Sequence, residues 1–395
     1  MRRISQHAPN QQNYFFQVLL AICLLLFLTG CGAAQESSVT KADRSSRTTK
    51  SKTTDSSSKK TAAKSATSKK VPTIATETLQ LTFMGDNTLG SDPQFATATS
   101  LPTVWARHGK DPQYFFKNVA RYFRTDDLTI ANLETTLTHS NQPAYKAGNV
   151  VFHFKGDPEL VKALTASSIE TVTVSNNHIY DYGQRGFDDT IQTLKDAQVG
   201  YFGEGYQYTT TIKGVKIGLL GYTGWTATDA DQAKIGADIQ QMRQRGCQVV
   251  IPYFHWGIER DAYPNDTQKR LAHAAIDHGA DMVIGSHPHV IQSLEVYQGK
   301  LIAYSMSNFA FGGNSNPSDK RSFLLQANLT VKGADIVETQ FRVIPTRISS
   351  TDAYNDYVPT PYTGDAQAAV LAYINQLSPT LNGRISSEFV TVRPQ

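Results

Sequence analysis

The chain has 395 residues, 40% of them hydrophobic, and a formal net charge of +4. That is enough for one large or two average domains with a sizeable core. Twelve Lys/Arg against four Asp/Glu precede Leu79, so the basic excess belongs to a tail, and the acidic remainder excludes the charge signature of a nucleic-acid partner. Arg2 and Arg3 stand before the apolar run "FFQVLLAICLLLFLTGC", Phe15 to Cys31, which reads as a secretory signal. Its "LTGC" end resembles a bacterial lipobox: cleavage before Cys31 leaves a thiol to carry a diacylglyceryl anchor. The alternative is an uncleaved signal-anchor helix, for which the run is slightly short of the roughly 20 residues needed to span. Both place the remainder outside the cytoplasm, on the outer face of the cell membrane, as in a Gram-positive envelope. With Cys23 in the signal and Cys31 lipidated, only Cys247 is left, so no internal disulfide is expected. Cys247 opens an apolar strand and reads as a small buried hydrophobe.

Residues 32–78 are rich in Ser, Thr, Lys and Ala and nearly free of large apolar side chains. Such a segment cannot bury enough surface to fold and is expected to be a disordered tether. It would span about 35–40 Å on average. From Leu79 the texture changes. "LQLTFMGD" and "LTIANLE" read as strands, and "DPQYFFKNVARYFRTDD" between them as an amphipathic helix. "GDPELVKALTASSI" reads as a helix capped by Asp157 with Pro158 in its first turn. A strand "ETVTVSNNH" and a helix "GFDDTIQTLKDAQ" follow. Then come "VKIGLLGYT", "CQVVIPYFHWG", a helix near "TQKRLAHAAIDHG", "DMVIGSHPHV", "KLIAYSMSNF" and a late helix "DAQAAVLAYINQL". Alternating strands and helices define an α/β domain. The expected boundaries are a leader at 1–31, the tether at 32–78, a main domain at 79–345, and an extension at 346–395 packed on that domain.

The strands end alike. "FMGD" brings Asp86, "IANLE" brings Asn132 and Glu134, and "VSNNH" brings Asn177 and His178. "PYFHWGIE" brings His255 and Glu259, and "IGSHPHV" brings His287 and His289. Ligands of α/β folds bind beyond the carboxyl ends of strands. Carboxylates, imidazoles and an amide oxygen gathered there suit a borderline divalent metal. Alone, a strand-end Asp is usually a turn or cap residue. Five such junctions are hard to explain as caps. In His-Pro-His the proline is expected to hold two imidazoles on an extended segment. Trp256 is expected to pack the loop rather than touch substrate. Asn308 in "MSNF" is either a donor behind the ligands or a strand-end turn residue.

The set "GD", "NLE", "NNHIYDYG", "HWGIE" and "GSHPHV", in this order, resembles the CapA/PgsA family of bacterial capsule, or poly-γ-glutamate, synthesis proteins. The match runs from about Leu79 to Phe309. Those proteins are similar to calcineurin-like metallophosphatases. The resemblance implies an α/β sandwich of two mixed β-sheets flanked by helices, with one or two divalent ions (Mn, Fe, Zn or Mg) at the strand ends. Carried over residue by residue, it implies Asp86, Glu134, Asn177, His255, His287 and His289 as metal ligands. His255 and His287 would share one ion, and His289 would reach the other. His178 would be the proton donor, with Asp181 orienting it, and Asn132, Glu259 and Asn308 would stand behind the ligands. The chain departs from the metallophosphatase pattern in reading Asp86-Asn87-Thr88 where those enzymes have Asp-x-His, and in having Glu134 in place of Asp. The resemblance therefore implies an anchored capsule-assembly protein with a metal centre, possessing metal-assisted hydrolase activity on a phosphoester or a γ-glutamyl amide. The alternative is a non-catalytic module that binds an anionic polymer or supports a membrane synthase complex. A solute-binding lipoprotein would fit the anchor and leave the motifs unexplained.

Overall fold

A computed structural model describes residues 75–393. The leader with Cys31, and the tether as far as residue 74, lie outside the described residues. Among the described residues no helix is long and apolar enough to cross a membrane. The strands in chain order are β1 (Thr76–Thr88), β2 (Leu128–Leu133), β3 (Thr136–Leu137), β4 (Lys155–Gly156), β5 (Thr171–Thr173), β6 (Gly200–Phe202), β7 (Gln207–Ile212), β8 (Val215–Gly224) and β9 (Val249–Trp256). They continue with β10 (Met282–Ser286), β11 (Leu294–Tyr297), β12 (Lys300–Ala303), β13 (Asn308–Phe311), β14 (Arg321–Lys332), β15 (Asp335–Arg347), β16 (Thr360–Pro361) and β17 (Val390–Thr391).

One mixed sheet runs β16-β15-β14-β1-β2-β5-β6, with β13 paired to β1 and β17 to β15. A second runs β11-β12-β10-β9-β8-β7. Strand alternation explains how they stack. Leu79, Leu81 and Phe83 of β1 and Ile130 of β2 share one core with Ile217, Ile251, Tyr253 and Ile284 of the second sheet. Alternate residues turn the other way. Met84, Ala131 and Leu133 pack under Leu101, Trp105, Phe187 and Leu194 from helices Leu101–Arg107 and Gly183–Asp196. On the far side, Val250, Phe254 and Trp256 pack under Ile239, Leu271 and Ala275 from helices Asp229–Gln244 and Asp266–Asp277. The result is helix, sheet, sheet, helix: the two-sheet α/β sandwich the resemblance implied. Helix Gly364–Leu377 adds Val370, Ile374 and Leu377 to the core between the sheets.

A bulge decides where the first carboxylate points. Simple alternation would leave Asp86 with Met84 on the helix-covered face. The register of β1 on β2 shifts between Phe83 (opposite Ile130) and Asp86 (opposite Asn132). The inserted residue turns Asp86 to the side of Asn132, which donates to it at 2.8 Å. Gly85 makes the turn possible: a Cβ there would meet Ser307 O at 2.0 Å, beside the Asp86 N–H bond to that same carbonyl. Gly85→Ala is therefore expected to destabilise the protein by about 3 kcal/mol or more, because backbone and not a yielding side chain blocks it. A melting temperature within a degree or two of the parent would contradict this packing.

Three local expectations are corrected. Residues 111–127 form turns with α-helix only at Ala120–Phe123. Tyr114, Phe115 and Phe116 are consecutive and all buried, which a helix with one core face cannot provide. Residues 156–169 make a 3₁₀ turn, Pro158–Val161, and one α turn, Lys162–Thr165, with Asp157 capping as expected by accepting from the Glu159 N–H. His-Pro-His is not extended: His287 has φ +97° and His289 φ +56°. The left-handed backbone lets both rings turn toward one point, and strain of this kind is found at functional sites.

Candidate metal centre

The cluster forms where β1, β2, β5, β9 and β10 end. His255 continues the alternation of Val249, Ile251 and Tyr253 and so leaves β9 facing between the sheets. Asn132 continues that of Leu128 and Ile130 on β2. Glu134 follows one turn of alternation later, its backbone held by Asn87 O, which accepts from its N–H at 2.8 Å, and by the Thr88 hydroxyl, which donates to its carbonyl at 3.1 Å. Thr88 therefore fixes Glu134 from behind. Asn87 also turns away, bonding Gly85 O and the Ala310 N–H.

Glu134 is fully buried, and neither of its carboxylate oxygens receives a hydrogen bond. His255 Nε2 and His289 Nε2 each stand 3.6 Å from Oε1, and His178 Nε2 stands 4.0 Å from it. His287 Nδ1 is likewise buried without a hydrogen-bond partner. Among the described residues two groups have ligand atoms close enough to hold an ion: Glu134 with His287 and His289, and Asp86 with Glu134 and His255. Glu134 belongs to both. The His287 ring lies 4.6 Å from that of His255 and 5.6 Å from that of His289. Asn177 Oδ1 lies 2.7 Å from His255 Nε2. The six residues named as ligands thus converge. A buried orphan carboxylate ringed by imidazole nitrogens fits a divalent cation, because an isolated buried charge is otherwise costly.

The supporting contacts orient these groups. Asn308 Oδ1 is 2.8 Å from His289 Nδ1, which leaves Nε2 toward Glu134. Ser286 Oγ is 3.0 Å from His255 Nδ1. Asn176 donates to Asn132 Oδ1 and Leu133 O and accepts from the His178 N–H, locking the turn that presents Asn177 and His178. Glu259 is exposed on the loop after β9, and its charge adds to those acting on Glu134 and His289. Trp256 is fully buried, stacked on Phe254, with its indole N–H bonded to Tyr304 O.

Charge follows burial. Burial first, and then the Asp86 charge, push Glu134 well above the usual carboxylate range. Burial would raise Asp86 too, but the bond and charge of His289 and the Asn132 and His287 donors outweigh it and bring Asp86 below its usual value. Burial holds His255 far below an ordinary imidazole and, with the charge of His289, brings His287 to about 3. Both are thus neutral, the form that binds a metal. Burial also opposes charge on His289, but Glu134 and Asp86 prevail and raise it to about 10. His178 sits apart, its Nδ1 donating to Asp181 Oδ2 at 2.7 Å. Burial lowers it despite Asp181, so at neutral pH its Nε2 is a lone pair facing the cluster.

Sequence reasoning missed three neighbours. Lys146, from the loop before β4, pairs with Asp181 and donates to Phe152 O and Asn177 O. Trp225, 47% exposed, stands edge-on to His287 at 4.9 Å. Neither lies in a motif. Ser286 does, within "GSHPHV", and was legible there.

Residues 80–313 match the family described as Bacterial capsule synthesis protein PGA_cap. The chain is similar to the PGA biosynthesis protein CapA of Bacillus subtilis, 30% identical over 76% of this chain and 78% of that one. It is similar also to the capsule biosynthesis protein CapA of Bacillus anthracis, 29% identical over 69% and 68%. A crystal structure of a phosphatase from Mycoplasma pneumoniae superposes loosely, with TM-score 0.42 and 14% identity over 69% of this chain and 95% of that one.

Proposed function

The chain belongs to the family of bacterial capsule synthesis proteins, and on that premise we propose that the cluster is a metal centre acting in assembly of a capsular polymer of the poly-γ-glutamate kind. The observation that carries this reading is the fully buried Glu134 carboxylate, without a hydrogen-bond donor, among Asp86, His255, His287 and His289. Asp86, Glu134, Asn177, His255, His287 and His289 would hold one or two divalent ions. Bound there, the ions would polarise a scissile group and lower the pKa of a bound water to about 7. The chain's own residues supply the rest. Asp181 fixes the His178 ring through Nδ1, and Lys146 neutralises Asp181 so that the pair carries no net negative charge into the site. His178 would accept at Nε2 the proton given up by the attacking water and return it to the leaving group. The reaction class is metal-assisted hydrolysis or transfer, at a phosphoester or a γ-glutamyl amide. The "LTGC" leader supports an extracellular, lipid-anchored location beside a membrane synthase complex.

One observation favours a second reading, a non-catalytic module that binds anionic polymer. Thr88 stands where metallophosphatases carry an imidazole, and its hydroxyl is committed to Glu134 O. Metal analysis of the full chain, coupled to a hydrolysis screen on phosphoesters and γ-glutamyl polymers, separates the two. Bound metal with turnover is expected. Bound metal without turnover on any substrate leaves the binding module, and no divalent metal at neutral pH removes both.

A further inference from the structure

We infer that the metal centre continues into an apolar subsite, and that its ligand is an amphiphile: a phosphoester bearing a hydrocarbon chain. The inference rests on the metal-centre reading above and adds the class of substrate. A run of phenyl rings leads outward from the cluster. Phe154 lies 4.2 Å from the His178 ring, and Phe311 lies 5.0 Å from that of His289. Phe154 contacts Phe311 edge-on at 6.3 Å and stacks on Phe152 at 6.1 Å, while Phe152 meets Phe95 at 5.6 Å. Exposure climbs along the run, from 4% at Phe154 to 40% at Phe152, and the same loop exposes Val150 (77%) and Tyr145 (93%).

The loop carrying Tyr145, Val150 and Phe152 is held to the centre. Ala144 N–H donates to Asp181 O, and Phe154 N–H donates to Asp181 Oδ2. Apolar exposure gathered on one loop beside a candidate site marks an interaction surface. What covers it follows from what it adjoins. Divalent ions at Glu134 would draw an anionic head group, and the rings that begin buried at Phe154 and Phe311 and reach the surface at Phe152 would take hydrocarbon joined to that head. A wholly polar polymer segment would leave the rings wet.

The test uses the full chain in a maltoside detergent, which carries no phosphate, loaded with manganese, and titrated with inorganic phosphate and with methyl, butyl and hexyl phosphate. These esters are too short to partition strongly into detergent micelles. Binding should tighten by roughly threefold per added methylene. Phe152→Ser with Val150→Ser should flatten that dependence. Val150→Ser alone, at an exposed position that should not disturb folding, should flatten it in part. Equal affinity for methyl and hexyl phosphate overturns the inference and leaves the metal centre standing. An unchanged slope in both variants overturns it as well. If manganese loads but neither phosphate nor any ester binds, the inference falls and the metal centre stands; if no manganese loads, the metal-centre reading fails and takes the inference with it.

Discussion

Replacing Glu134 with glutamine is expected to strip the protein of metal while leaving the metal-free fold as stable as the parent, or more so. Two opposing terms meet at this residue. Glu134 belongs to both groups of ligand atoms, so its loss would weaken the hold of either group on an ion. A ligand that binds only the folded state contributes about 3 kcal/mol at roughly a hundredfold excess over Kd. Losing it should lower Tm by about 5–10 °C in a domain of this size. Without an ion, the carboxylate is a buried acid whose folded pKa is raised far above its unfolded value. Such an acid costs stability increasingly as pH rises above the unfolded pKa, and the neutral amide removes that cost. The metal-free variant should therefore gain on the metal-free parent more at pH 7 than at pH 4. A further sign is set by His289. Held up to about 10, it carries a proton that an incoming ion must displace. Metal uptake by the parent in weak buffer should release protons, and affinity should rise with pH. Metal content by elemental analysis, with melting curves in chelator and in metal, decides the matter. Full metal occupancy in Glu134→Gln would remove this residue from the centre.

His178→Ala should behave in the opposite way, keeping the metal and the fold while losing about 10²–10⁴ in turnover. The substitution leaves Asp181 buried but not alone, since Lys146 still pairs with it and the Phe154 N–H still donates to it. The fold should therefore tolerate the change. Its Nε2 is 4.0 Å from Glu134 Oε1, and His178 belongs to neither ligand group. The measurement is kcat on whichever ester the hydrolysis screen identifies, alongside metal content. Loss of metal in parallel with turnover would make His178 a ligand and not a proton carrier.

Much of this site is written locally in the chain. A β-rich run that stops at Gly-Asp, at Asn-Leu-Glu or at Asn-Asn-His is visible in one dimension, because alternation and strand ends depend on neighbouring residues. The order of five such endings sufficed to place the chain in its family, and with it the two-sheet sandwich. Asp157 as a cap is equally local. Other features depend on contacts between distant residues. Asp86 meets the His287 N–H across two hundred residues of chain, and it points there because of a bulge that Gly85 and Ser307 permit between them. Lys146 reaches Asp181 from a loop with no motif, so no pattern could announce it. The buried run at Phe115 and Phe116 defeated a helical reading because packing from two sides, not periodicity, set its backbone. The left-handed turns at His287 and His289 are unfavourable alone and persist only where the surrounding fold fixes them. Local propensity could name the donors and the strand ends that carry them. Their convergence on one buried carboxylate required the closed core, since only there does water withdraw far enough to leave that carboxylate without a hydrogen bond.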